Sequence, residues 1–339
     1  MRTLPAVAWM RKMIPHAAMR RIFLFLLSSV ALAQAGPPVK ATREDKQIVF
    51  RAGTAEMFRY QAEPMPLPRP QIAEAFIRGG YLSPLLTPSG KQISDDFPPN
   101  HIHHHGVWWA WTKTEFEGRH PDFWNMGDKT GRVEFVAVDD VWNRDGAAGL
   151  KVRHRYVDLS AVPSKVALLE TWELSASTAG EGQALRYVLD LTCTQTCAGD
   201  APLKLPKYHY GGIGFRGHRS WDEGKSNPTQ FLTSEGITDR TKGDTSRARW
   251  LWTGGQVDGA TAGLTMLCHP ENFRFPQPLR LNPKEPFVCF APPQLGEMEI
   301  KPGVPYVSKY RLIVSDGKPT LEEAEGWWKE YAAGAAKKP

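Results

Sequence analysis

The chain has 339 residues, of which 41% are hydrophobic and 23% charged, the composition of a globular protein rather than a disordered or fibrous one. Five of its 42 basic residues precede residue 36 and no acidic residue does, so the remainder carries 37 basic and 36 acidic residues. The formal charge of +6 is therefore an N-terminal feature. A nearly neutral remainder without a basic run excludes nucleic acid as the expected partner.

Residues 1–35 have the three parts of a secretory signal peptide. Arg20 and Arg21 are basic, residues 22–32 form an apolar run too short to span a bilayer, and an Ala-Gln-Ala sequence ends at Ala35. We expect cleavage after Ala35. The mature protein is then periplasmic or secreted and has no integral membrane span.

The mature chain is predicted to be one all-β domain over residues 46–333, preceded by a polar linker at 36–45. Alternating apolar residues and Gly, Pro and Asp turn signals mark the strands. They lie at 47–51, 101–111, 131–140, 150–157, 165–176, 184–194, 207–214, 248–253, 262–268, 286–290 and 306–314. Many strands without alternating helices indicate a large antiparallel β-sandwich.

Only the C-terminus is predicted to be a firm helix, over residues 320–333. Thr320 and Glu323 form a capping box, in which each side chain satisfies a backbone N–H of the other residue. An apolar stripe follows, made of Leu321, Ala324, Trp327, Trp328 and Tyr331. Residues 334–339 are expected to be a disordered tail.

Residues 101–111 hold the densest chemistry, because four histidines precede three tryptophans. Two prolines just upstream disfavour a helix, so we predict an extended segment whose side chains alternate between two faces. On this reading one face carries His101, His103, His105, Trp109 and Trp111, and His104 lies on the other.

Such a face has three functional uses and one structural one. The imidazoles suit acid–base catalysis near neutral pH, and with the indoles they suit a sugar ring. No cofactor is predicted, but His101 and His103 with a distant His or Asp can bind a divalent metal. The structural alternative is that the tryptophans are core and the histidines only hydrogen-bonded.

Further candidate residues lie in three other segments. Asp95 and Asp96 precede the histidines, and either can orient one of them. In the second segment, Tyr208 and Tyr210 flank His209 before a glycine-rich stretch. In the third, His269 lies near the end of a predicted strand and is followed by polar residues. These residues are Tyr208, His209, Tyr210, Arg216, His269, Asn272 and Arg274.

All four cysteines follow the signal peptide, in a compartment that permits disulfides: Cys193, Cys197, Cys268 and Cys289. Four cysteines allow three pairings, and free buried thiols are equally compatible with the sequence. Cys268 with Cys289 is the more plausible pair if their strands are neighbours.

The chain resembles the exported bacterial "PmoA-like" family, often labelled methane oxygenase. The segments that carry this resemblance are residues 80–90, 95–111, 208–212 and 269–274. The resemblance covers nearly all of the mature chain, although family members more often have Arg where this chain has His105. It implies a fold like the galactose-mutarotase supersandwich, shared by sugar epimerases and polysaccharide lyases. A membrane-embedded oxygenase subunit would need spans that the mature sequence lacks.

We therefore expect a periplasmic carbohydrate-active enzyme of the epimerase, lyase or hydrolase type. Its acid and base would come from His101, His103, His104, His105, His209 and His269, and its sugar contacts from Asp95, Asp96, Trp109, Trp111, Tyr208, Tyr210, Arg216, Asn272 and Arg274. The alternatives are a non-catalytic sugar-binding protein and a His-ligated metal enzyme, the oxygenase of the family label. The oligomeric state cannot be predicted.

The export prediction has a direct test. Expression of the full chain with its own leader should give a periplasmic or secreted protein whose first residue is Gly36. Intact mass and N-terminal sequencing measure this. A protein retained in the cytoplasm with the leader attached would contradict the prediction.

Overall fold

A computed structural model describes residues 36–222 and 224–335. Its strands, in chain order, are β1 Val39–Glu44, β2 Gln47–Ala52, β3 Ala55–Gln61, β4 Tyr81–Leu85, β5 Val107–Ala110, β6 Gly131–Arg144, β7 Ala147–Asp158, β8 Lys165–Ala179, β9 Arg186–Cys197, β10 Leu203–Leu205, β11 Gly212–Arg216, β12 Gln230–Thr233, β13 Arg247–Ala248, β14 Trp250–Val257, β15 Ala260–Cys268, β16 Gln277–Leu281, β17 Phe287–Phe290, β18 Met298–Ile300 and β19 Tyr306–Asp316. The α-helices are α1 Arg240–Gly243 and α2 Leu321–Ala335, and short 3-10 turns include Glu74–Phe76 and Met126–Asp128.

The strands form two large antiparallel sheets. One has the order β1-β2-β3-β4-β5-β11-β17-β16-β13, the other β12-β14-β15-β19-β9-β8-β7-β6, and β10 pairs with β18 separately. The predicted all-β sandwich with a C-terminal helix is confirmed. In this order β5, β11, β17 and β16 are neighbours, although β5, β11 and the β16–β17 pair come from three distant parts of the sequence.

Aromatic side chains from both sheets meet in the core. Trp109 contacts Tyr310 at 5.6 Å between ring centroids, and Tyr60 contacts Trp172 at 6.5 Å. A large aromatic side chain buries about 150–250 Å², worth roughly 4–6 kcal/mol of hydrophobic transfer before entropy is subtracted. Aromatic packing therefore accounts for much of the adhesion between the sheets.

Three predicted boundaries are corrected by the structure. Residues 36–45 are not a linker, because β1 pairs with β2 and buries Val39 and Ala41. The strand predicted at 101–111 is only β5, since its histidines lie in a turn. The strand predicted at 207–214 begins only at Gly212, in β11.

The sequence also leads to predictions for the two ends of the chain, a signal peptide and a disordered tail. Helix α2 extends to Ala335, so the predicted tail begins within it, and residues 336–339 lie outside the described part. The signal peptide predicted at 1–35 lies outside it as well. Within residues 36–335, no helix combines the length and apolar character needed to span a bilayer.

The capping box is present: the Glu323 amide donates to Thr320 Oγ1 (3.2 Å), and the Thr320 amide donates to Glu323 Oε2 (2.8 Å). Helix α2 packs on the sheet that contains β14 and β15, where Trp328 Nε1 donates to the Cys268 carbonyl at 3.0 Å. Leu321 of the predicted stripe is instead 47% exposed.

The four cysteines are free thiols. The condition for a Cys268–Cys289 disulfide fails because Cys268 ends β15 in one sheet and Cys289 lies in β17 of the other. Burial raises the pKa of both thiols to about 12, so they are protonated at neutral pH.

A buried polar network links the sheets around Glu170 in β8, which is 2% exposed. Its oxygens pair with His154 Nδ1 (2.8 Å) and accept from Tyr156 (2.9 Å) and Gln195 (2.5 Å). Two further bonds reach the opposite sheet: one joins His154 Nε2 and the Tyr60 hydroxyl (2.7 Å), and in the other Trp111 Nε1 donates to Gln195 Oε1 (2.8 Å). The carboxylate is thus hydrogen-bonded through both oxygens to a histidine, a tyrosine and a glutamine, with no Lys or Arg among these partners.

Replacing Glu170 by Ala should destabilise the fold by about 3–5 kcal/mol, because several buried groups lose their partner. Glu173→Ala is the matched control, since that side chain lies on the same strand, is 56% exposed and forms a surface ion pair with Lys151. Its free energy of unfolding should change by less than about 1 kcal/mol. Urea denaturation measures both, and equal losses would contradict the assigned role of the network.

Candidate functional site

The histidine segment is a double turn and not a strand. The His101 amide donates to the Pro98 carbonyl at 3.1 Å, and the His104 amide donates to the His101 carbonyl at 2.8 Å. The turn gathers three imidazoles: His104 lies 4.7 Å from His101 and 4.8 Å from His103 between ring centroids. Histidines predicted to lie on opposite faces are therefore brought to one place.

The second part of the site precedes β11. Tyr208, His209 and Tyr210 form a ring cluster with centroid distances of 4.3–5.0 Å. Gly211 and Gly212 follow with φ of +134° and +112°, and a Cβ at Gly212 would lie 2.9 Å from the Phe290 carbonyl oxygen. The chain can turn into β11 there only without a side chain.

These two parts and strands β16 and β17 enclose a cavity of about 250 Å³, the histidine cavity. Its lining residues are His101, His103, His104, Trp124, Asn125, His209, Tyr210, Arg280, Asn282 and Phe287. Five of them were predicted from the sequence: His101, His103, His104, His209 and Tyr210. They meet because they belong to, or directly precede, the neighbouring strands β5, β11, β17 and β16.

Three polar lining residues were missed. Asn125 donates to the Tyr210 hydroxyl at 3.2 Å and to Asp122 at 2.8 Å. Arg280 pairs with Asp244 at 2.6 Å, and Asn282 follows the end of β16. The only signal in the sequence was polar residues at a strand end, where functional groups often lie.

Burial keeps the central imidazoles neutral. It lowers the pKa of His103 to about 3, helped by His101, His105 and Arg216. It also lowers the pKa of His104 well below the ordinary value. The Arg216 guanidinium faces His104 Nδ1 at 3.4 Å, and because a guanidinium can only donate, the His104 proton is on Nε2.

His101 and His209 are closer to solvent. Burial lowers the pKa of His101, while the Glu285 carboxylate, 3.9 Å from His101 Nδ1, acts in the opposite direction. Partial burial and then Arg280 lower the pKa of His209. Of the three clustered histidines, His101 is the one with a carboxylate within ion-pair distance.

Arg216 does not have its predicted role of holding substrate. It is 0% exposed, and it pairs with Asp222 and Glu285 at 3.2 Å each. It also donates to Asn100 at 3.3 Å. Arg216 therefore holds the histidine turn in position through buried contacts.

Both predicted aspartates lie outside the histidine cavity lining. Asp95 accepts two bonds from Arg219, at 2.8 and 2.9 Å. Asp96 pairs with His105 Nδ1 at 2.6 Å and accepts from the Tyr81 hydroxyl at 3.0 Å. His105 is 0% exposed, so the predicted catalytic role of His105 is not supported.

The predicted aromatic platform is also corrected. Trp109 and Trp111 are at most 1% exposed and pack against Tyr310 and Tyr306 in the core, so they cannot stack on a ligand. These two tryptophans are core residues, as the structural alternative predicts. Tyr208 lies beside Tyr210 but outside the cavity lining.

The third predicted segment lies elsewhere. His269 lines a different cavity, with Glu271, Lys309 and Arg311. Asn272 exchanges two hydrogen bonds with the Lys309 backbone, and Arg274 donates to the carbonyls of Pro292, Gly296 and Glu297. Asn272 and Arg274 hold loops together, which explains their polarity without a ligand.

The predicted metal pair has limited support. His101 and His103 lie 5.8 Å apart between ring centroids, and their neutral imidazoles are the form that binds metal. Among the described residues, no group of three or more His, Cys, Asp or Glu side chains is arranged to hold a metal ion. The divalent metal stays a prediction.

The low pKa of His103 predicts acid sensitivity. Unfolded histidine takes up a proton near pH 6.5 and native His103 only near 3, so below pH 6.5 the unfolded state binds more protons. The stability due to neutral His103 is complete above pH 6.5 and is lost as the pH falls toward 3, by up to about 1.4 kcal/mol per pH unit. His103→Asn should lose less stability between pH 7 and pH 4 than the unmodified protein.

Urea denaturation across this pH range measures the effect. The control is His120→Asn, at an exposed histidine outside the histidine cavity. An identical pH dependence in the unmodified protein and in His103→Asn would contradict the assignment.

Solved structures similar to the chain include the following two. A galactose mutarotase related enzyme from Lactobacillus acidophilus is 9% identical, with 83% of this chain and 98% of that chain covered and a TM-score of 0.36. A protein described as a kojibiose phosphorylase from the human microbiome is 8% identical, with 88% and 33% covered and a TM-score of 0.35. The chain spans only a third of that longer protein.

No curated protein matches the sequence. A family match extends over residues 47–329, from β2 into α2. Its description does not include the PmoA-like name, which stays a prediction. Because the match covers most of its length, the chain belongs to DUF6807, a family of unknown function.

Proposed function

We propose that the histidine cavity binds one sugar ring and exchanges protons with it, in an exported carbohydrate-active enzyme of the epimerase, lyase or hydrolase type. The single observation behind this proposal is the convergence of neutral imidazoles, two amides, a phenol and a guanidinium on one small cavity. A sugar presents hydroxyl groups around a ring with apolar faces, so it needs both hydrogen-bonding groups and aromatic surfaces.

The size and the walls of the cavity support a single ring. Pockets for drug-sized ligands measure about 300–1,000 Å³, and this cavity of about 250 Å³ is smaller. Tyr210, which is half-buried, supplies accessible aromatic surface between the polar groups, and the almost fully buried Trp124 packs against it at 5.3 Å between ring centroids. A longer saccharide would place only its terminal unit inside.

The pKa shifts distinguish the histidines that only bind the sugar from those that transfer protons. An imidazole with a pKa of about 3 is a weak base at neutral pH, so His103 serves as a hydrogen-bonding group, and neutral His104 does the same. His101 has Glu285 to stabilise its protonated form. His209 approaches from a separate loop and retains contact with solvent. His101 and His209 are the proposed acid and base.

The test uses glucose, galactose, mannose, lactose and cellobiose as probes. Saturation-transfer NMR measures binding, and mass spectrometry with NMR in D2O detects isomerisation, gain or loss of water, or deuterium uptake at carbon. We expect binding of at least one probe, and conversion that falls at least about 100-fold in His101→Ala and in His209→Ala, since a general acid or base contributes about 10²–10⁴-fold.

His120→Ala is the matched control and should retain full activity. Conversion that persists in both cavity variants would overturn the acid–base assignment. Binding without any conversion would establish the non-catalytic sugar-binding alternative, and no binding to any probe would overturn the sugar proposal.

A further inference from the structure

A second cavity, of about 650 Å³, lies where the turns Glu74–Phe76 and Met126–Asp128 meet the start of β6. We call it the Arg78 cavity. It is separate from the histidine cavity but near it in the sequence, because Asn125 lines one and Met126 the other. None of the residues predicted from the sequence to form a site lies in its lining.

Arg78 is the unusual member of this lining, because it is a cation that is only 4% exposed. Its Nε donates to the Gly79 carbonyl at 3.2 Å, and one Nη donates weakly to the Gly80 carbonyl at 3.5 Å. Among the described residues, no carboxylate lies within ion-pair distance of this guanidinium, and its Nη1 has no acceptor.

The buried carboxylate of Glu170 does not fill this role. Glu170 attracts Arg78 electrostatically, but its oxygens accept from Tyr156 and Gln195 and pair with His154. Its other electrostatic partners are the tyrosines Tyr156, Tyr81 and Tyr60, and the Tyr81 ring centroid lies 5.9 Å from the guanidinium carbon. A buried charge without a direct partner costs several kcal/mol, so this arrangement favours an external anion.

The other lining residues of the Arg78 cavity indicate what kind of molecule would carry the anionic group. Apolar side chains form much of the surface around the guanidinium: Ile77, Met126, Val133, Phe135 and Leu159. Lys129 and Arg132 are exposed at the rim. Two acidic residues also line the cavity: Glu134 is already held by Arg132 at 2.6 Å and Arg155 at 2.7 Å, and Glu74 is exposed to solvent.

From this geometry we infer that the Arg78 cavity binds an organic carboxylate, with the carboxylate on Arg78 and the body of the molecule against the apolar walls. A guanidinium matches a carboxylate through two parallel hydrogen bonds. The volume lies within the range of pockets for drug-sized ligands, about 300–1,000 Å³. The inference does not depend on sugar chemistry in the histidine cavity.

Calorimetric titration tests it with two carboxylates from different sources, benzoate and glucuronate, and with their uncharged counterparts, benzamide and glucose. We expect one carboxylate to bind at least tenfold more tightly than its counterpart. Preference for glucuronate would identify an acidic sugar, and preference for benzoate a non-sugar acid. Phosphate that binds as tightly as the better carboxylate would overturn the inference.

Arg78→Met removes the charge and retains an unbranched side chain. We expect at least tenfold weaker carboxylate binding but an unchanged or higher melting temperature without ligand, because a buried unpaired charge is gone. A purely structural Arg78 would give the opposite melting result. Unchanged carboxylate affinity in Arg78→Met would overturn the inference.

A second variant keeps the test decisive if Arg78→Met fails to fold. Ile77→Glu adds an acidic group to the wall at a side chain that is 38% exposed, and should also weaken carboxylate binding at least tenfold. Val304→Glu, at a residue 59% exposed outside this lining, is the control. Binding lost in His209→Ala but kept in Ile77→Glu would place the carboxylate in the histidine cavity and overturn the inference.

Discussion

The buried guanidinium of Arg216 is the interaction on which the histidine cavity depends. It joins three segments far apart in the sequence, because it contacts His104, Asp222 and Glu285 within 3.4 Å. Two carboxylates compensate its charge, whereas the imidazole on its other side is kept neutral. The same group therefore holds the turn in place and adds to the effect of burial, which lowers the pKa of His104, and Glu285 connects it to His101.

The sandwich and the identity of several cavity residues could be predicted from the sequence. Alternation of apolar residues located most strands, since it is a local property of a strand with one buried face. His101, His103, His104 and His209 were selected by residue type, and the structure places all four in one cavity. The assumption of a strand through the histidines was wrong because a turn after the two prolines was not recognised.

Other parts of the site depend on contacts between distant segments. Trp109 and Trp111 resemble a ligand platform in composition, and only the opposite sheet shows that they are core. Asn125, Arg280 and Asn282 belong to no local motif; they enter the cavity through the order of β5, β11, β17 and β16. An unpaired cation such as Arg78 cannot be recognised without knowing which acids surround it.

The network around Glu170 has a consequence for how the two sheets align. Hydrophobic packing has no direction, so aromatic layers alone would tolerate sliding of one sheet over the other. Hydrogen bonds require defined distances and angles, and those to Tyr60 and Trp111 cross the interface at two separate points. Two fixed points remove both translation and rotation in the plane of the sheets. The network thus selects one alignment of the two sheets from many that would have similar hydrophobic energy.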